Sequence, residues 1–96
     1  MDLAAFKQSL TKAAPPDGLT PALQALWWDA KGDWNAAHHC VDSEEGRDAA
    51  RIHAYLHRKE GDAANAGYWY GAAGVVPFQG SLDLEWKELA EERLKS

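Results

Sequence analysis

His53 and His57 stand four residues apart, and on a helix that spacing brings two imidazoles to one side at a distance a single metal ion can bridge. A third nitrogen can come from His38, which falls on the apolar side of the preceding helical segment, and Glu60 or Asp42 can add an oxygen. Three imidazoles with a free fourth position suit a divalent transition metal. The glutamate of the H-E-x-x-H zinc motif is missing, because Ala54, Tyr55 and Leu56 fill the interval. An imidazole on an apolar face is more often a core residue bonded to a carbonyl or a tyrosine. The sequence therefore gives the three histidines a structural role first and a metal role second.

Other reactive side chains give weaker signals. His38-His39-Cys40 suggests a thiolate and its base, but adjacent side chains on a helix diverge by about 100°, so neither histidine faces Cys40 within its own helix. Cys40 reads as a small apolar residue. Arg47, Arg51 and Arg58 form one basic stripe, read as a solvated helix face partly paired with Glu44 and Asp48. Most of Trp27, Trp28, Trp34, Tyr55, Trp69 and Tyr70 are needed to fill space between alanine-rich helices. Tyr68 is the exception, since it lies opposite the Ala66 and Tyr70 stripe. His53, His57, Tyr55 and Tyr68 are therefore the candidate ligand-binding residues, and His38, His53 and His57 the candidate metal ligands.

These side chains need helices to hold them. Alanine is abundant and β-branched residues are scarce, which favours helix over strand. A first helix is predicted over 2–13, with Leu3, Phe6 and Leu10 at helical spacing, ended by Pro15-Pro16-Asp17-Gly18; it reads as an appendage. Thr20 caps a helix over 21–31 that opens with Pro21 and closes at Gly32. Asp33 caps a third helix to about Val41, with Trp34, Ala37, His38 and Val41 on one stripe. A fourth covers 47–60, with Ala49, Ile52, His53 and Leu56 inward and Gly61 as its stop. Asp62 caps a fifth to Ala73, and Ser81 caps a last helix to about Lys95 with Leu82, Trp86, Leu89 and Ala90 inward.

Gly32-Asp33 and Gly61-Asp62 are 29 residues apart (61 − 32), and their flanks correspond: Ala25-x-x-Trp28 with Ala54-x-x-His57, and Ala37-x-x-x-Val41 with Ala66-x-x-x-Tyr70. This pattern, most clearly in GDAANAGYWYGAA, resembles the tetratricopeptide repeat, in which small residues let two helices approach closely. The resemblance covers residues 20 to 78 and implies antiparallel helical hairpins with a binding role. The opening Trp-x-x-Leu of the motif is absent, and the period is shorter than 34 residues. As a whole the chain also resembles a group of short microbial proteins that contain the segment His-Ala-Tyr-Leu-His-Arg-Lys-Glu-Gly-Asp, here His53 to Asp62, a likeness that lends no activity.

The expected fold class is thus all-α, with five or six helices in tetratricopeptide-like antiparallel hairpins. The expected organisation is one domain: an N-terminal helix and Pro-rich turn (1–18), two hairpins (20–78) and a C-terminal helix (81–95). Ten Lys and Arg against fifteen Asp and Glu give a net charge of −5, which opposes nucleic-acid or anionic-membrane binding. One cysteine excludes an internal disulfide framework, and no apolar run approaches a membrane span, so a soluble cytoplasmic protein is expected. No phosphate loop, dinucleotide fingerprint or serine elbow is present. The expected function is non-enzymatic binding, without a cofactor, to a protein partner or to a second copy. The alternative is a metal or small-molecule function at the histidines.

Overall fold

The computed structural model describes residues 1–95. Six helices account for the regular structure and there is no strand among the described residues: α1 (Leu3–Ser9), α2 (Pro21–Ala30), α3 (Trp34–Asp42), α4 (Arg47–Lys59), α5 (Ala63–Ala73) and α6 (Leu82–Leu94). Each predicted cap is made. The side-chain oxygens of Thr20, Asp33, Asp62 and Ser81 accept from the backbone N–H of Leu23, Ala36, Asn65 and Leu84. Each bond satisfies one of the donors that a helix start leaves free.

The two hairpins, α2 with α3 and α4 with α5, are the most extensive helix pairs and are built on one turn used twice. Gly32 has φ 85° and Gly61 φ 89°, and the residues before them, Lys31 and Glu60, share φ −78° and ψ −3°. In both turns the Gly N–H returns to the carbonyl three residues back, Asp29 or Arg58. The following Asp N–H returns five back, to Trp28 or His57. That is the Schellman closure, whose left-handed position favours glycine. The internal repeat is therefore a repeat of geometry. No family relationship is needed to explain it, since two short antiparallel connections meet the same backbone demand.

Helix α1 is no appendage. Phe6 is fully buried, its ring 5.9 Å from that of Trp86, and the Trp27 indole donates to Ser9 Oγ at 3.0 Å. The helix also ends earlier than its periodicity suggests, at Ser9 rather than near Ala13. Residues 10 to 12 close with tighter three-residue bonds, and Lys31 Nζ takes the carbonyls of Leu10 and Lys12 at 2.7 and 2.9 Å.

The arginine stripe is a solvated face only at Arg47, which is exposed. Arg51 and Arg58 converge on Glu85 of α6, which is fully buried, at 2.8 and 2.7 Å, the Arg51 contact being an ion pair without hydrogen-bond alignment. The Tyr70 hydroxyl donates to the same carboxylate. Burial, followed by that bond, pushes the Tyr70 phenol up to about 12. Arg58 also donates to the carbonyl of Gly80, while Asp48 pairs with Arg93 rather than with the stripe. Glu85 shares the α6 face with Leu82 and Leu89, so this charged knot ties α4 and α5 to the last helix.

Candidate metal centre

Helices α3 and α4 bring the three histidines into one cluster. The His38 ring lies 5.0 Å from that of His53 and 5.5 Å from that of His57, and His53 and His57 lie 6.0 Å apart with nearly parallel planes. One ring nitrogen from each residue lies within 4.8 Å of one from each of the others. His53 and His57 are buried, at 3% and 7% exposure, and His38 is partly exposed. The cluster thus sits at the protein boundary, closed on the α4 side.

The hydrogen bonds decide which nitrogens remain free. His53 Nε2 lies 3.1 Å from the carbonyl oxygen of Val41, and a carbonyl can only accept, so Nε2 carries the proton. Its Nδ1 is buried and has no hydrogen-bond partner. His57 Nδ1 lies 2.7 Å from Glu60 Oε1 and donates to that carboxylate, which leaves Nε2 of the neutral ring with a lone pair. Burial holds the His53 pKa below the usual histidine value, and its neighbours His38 and His57 push the same way; the Val41 bond and Asp42 oppose them. A neutral imidazole with one nitrogen tied to a backbone carbonyl or a carboxylate is the form in which histidine ligates metals.

Two tryptophans wall the cluster. Trp34 stacks on His38 at 5.0 Å and 8°, and its indole is locked by donation to the Leu56 carbonyl at 2.8 Å. Trp69 of α5 stacks on His53 at 4.2 Å and 14°. From the sequence both read as space-filling aromatics rather than as neighbours of the histidines, although Trp34 and His38 stand four residues apart on one helix. Glu60, weighed from the sequence as an oxygen ligand, instead orients His57. A second possible group, His57 with Glu60 and Asp62, shares that histidine, but both of its carboxylates are exposed.

The remaining candidates fall elsewhere. Tyr68 is 67% exposed and meets the cluster only through Trp69, its ring edge-on at 5.2 Å. Tyr55 is buried on another side of α4 and donates to Asp29 Oδ2 at 2.6 Å; burial and then that bond raise its pKa far above the ordinary phenol value. His39 is exposed. Burial pushes the Cys40 thiol up, away from the thiolate that nucleophilic chemistry needs. No helix among the described residues is long and apolar enough to cross a membrane. No protein-family model matches the chain, and no curated protein or solved structure matches it.

Proposed function

We propose that this small helical chain binds one divalent transition-metal ion through His38, His53 and His57. The observation that carries the reading is the buried, unpartnered Nδ1 of His53 within a cluster of three mutually close imidazoles. An orphaned buried acceptor costs about 1–3 kcal/mol, a deficit that a metal bond removes. A tetrahedral ion with bonds of about 2.0–2.1 Å sets ligand nitrogens roughly 3.3 Å apart, so modest inward rotation of the rings completes a three-nitrogen site. Imidazole donors without thiolate suit zinc, nickel or copper. The fourth position would go to water or to a donor from a partner.

Interaction with a protein partner or a second copy is the second reading. Its support is the exposure of Tyr68 on α5 and of Val76 in the following segment, at 67% and 85%. The discriminating experiment is elemental analysis of untagged protein, followed by zinc titration with thermal unfolding. Zinc at about 100 times its dissociation constant supplies about 2.7 kcal/mol, a melting shift on the order of 10–20 °C for a chain of this size. The shift should vanish in His38→Ala. No bound metal and no shift would leave the interaction reading standing alone.

A further inference from the structure

We propose that a second site, the groove enclosed by α1, α2, α4 and α6, binds a small organic anion with an apolar body. The groove has a volume of about 680 Å³ and shares no residue with the histidine cluster. Its size falls within the range of small-molecule sites, about 300–1,000 Å³.

The charge of the lining selects the ligand. Although the chain as a whole carries −5, three lysines from three different helices border this one groove: Lys7, Lys59 and Lys87. The opposing carboxylates are Asp29 and Asp83. Asp29 is buried and already fully engaged, one oxygen accepting from the Tyr55 hydroxyl at 2.6 Å and the other from Lys59 Nζ at 2.9 Å. Lys59 is thereby fixed at the groove with two of its three N–H donors unspent. Lys7 and Lys87 form no ion pair among the described residues, so two unneutralised cations face the single unengaged carboxylate of Asp83.

Apolar surface supplies the other half of the site. Leu10, Ala30 and Trp86 line the groove, and Leu84, itself 46% exposed, stands beside them. The Trp86 indole N–H is bound to the Leu26 carbonyl at 2.9 Å, which fixes that ring in place. A carboxylate headgroup held near Lys59, Lys7 and Lys87 leaves its hydrocarbon or aromatic body to cover Leu84 and Trp86. Charge-assisted bonds orient the head while the apolar contact adds binding energy.

Calorimetric titration of the whole chain with decanoate, 1-naphthoate and decanol tests the assignment. At least one of the two carboxylates should bind at 1:1 with a dissociation constant below about 1 mM, and decanol should bind at least about tenfold more weakly. Lys7→Gln with Lys87→Gln should weaken carboxylate binding about tenfold without changing the circular dichroism. Leu84→Ser should weaken it as well, and rising ionic strength should act in the same direction. Equal binding of decanol, carboxylate binding unaltered by the lysine pair, or no carboxylate binding below about 1 mM would each overturn the proposal.

Discussion

His53 lies flat against Trp69, ring centroids 4.2 Å apart and planes 14° apart, while its Nε2 is tied to Val41 of the neighbouring helix. The imidazole is thus fixed from α5 on its face and from α3 at its edge, with its second nitrogen left unbonded. Trp34 holds His38 in the same face-on manner. Two of the three proposed ligands therefore carry an indole within van der Waals reach.

A paramagnetic ion at the cluster should be seen by those indoles. Copper(II) should quench part of the tryptophan emission and saturate at one equivalent. Trp69→Phe and Trp34→Phe should each remove part of the quenched component, while Trp28→Phe should leave the fractional loss attributable to the site intact. Emission that falls without saturating, or saturates equally in His38→Ala, would count against a three-histidine site.

Glu60→Gln separates orientation from ligation. The carboxylate lies 2.7 Å from His57 Nδ1 and is replaced by a neutral amide of nearly the same shape. The amide still offers an acceptor to His57 but no longer a charge, and mutating an outer-shell partner of this kind typically costs 10- to 100-fold in metal affinity. Zinc affinity should fall in that range with stoichiometry still at one, whereas His57→Ala should abolish binding. If Glu60→Gln leaves affinity unchanged, the negative charge beside His57 adds nothing to its strength as a ligand.

Caps and turns were legible because their chemistry is local: Asp62 reaches an N–H three residues away, and Gly61 must supply a positive φ whatever surrounds it. The three histidines were legible as a possible group through helical spacing. What periodicity could not give is pairing between helices. Arg51 and Arg58 look solvated on an α4 wheel because the wheel is blind to Glu85, a buried carboxylate that α6 carries on its apolar face. Asp29 was hidden for the same reason, since its partners Tyr55 and Lys59 lie on another hairpin. Trp69 reaches His53 only because α5 folds back on α4, and no spacing along the chain encodes that distance.

Metal-free protein should lose stability as the pH falls below about 6.5, the ordinary histidine value. The His53 pKa is lowered in the folded state, chiefly by burial, so in that window the unfolded chain takes up a proton that the native ring refuses. More protons bound in the unfolded state means stability that rises with pH and declines on acidification, until the native pKa is passed. Urea midpoints between pH 7.5 and 5.5 measure it. His53→Asn should flatten the slope; an unchanged slope would assign the dependence to other groups.

Two glycine substitutions should have opposite signs. An added Cβ meets nothing within 4 Å at Gly61 or at Gly67, so crowding is absent from both and only the backbone decides. Gly61 sits at φ 89°, and Gly61→Ala should cost about 1 kcal/mol and Gly61→Val more. Gly67 lies inside α5, and Gly67→Ala should stabilise by roughly 0.5–1 kcal/mol. Urea unfolding of the three variants at constant slope gives the comparison directly.

Glu85 is the charge at which α4, α5 and α6 meet. It has no exposure to solvent, and two guanidinium groups and the Tyr70 hydroxyl converge on its two oxygens. Glu85→Ala would strand Arg51 and Arg58 beside a cavity, and breaking a buried pair from one side costs about 3–5 kcal/mol. Glu85→Gln keeps the shape and one acceptor but removes the negative charge, so it should cost less than Glu85→Ala yet remain clearly destabilising. Pairing Glu85→Leu with Arg51→Met and Arg58→Met should recover much of the loss, because a matched apolar replacement strands no charge. The Tyr70 phenol, held high in part by this carboxylate, should titrate at lower pH in Glu85→Gln, an effect readable by ultraviolet difference spectra. If all three glutamate variants unfold at the same urea concentration as the parent, the charged knot contributes nothing to holding α6 in place.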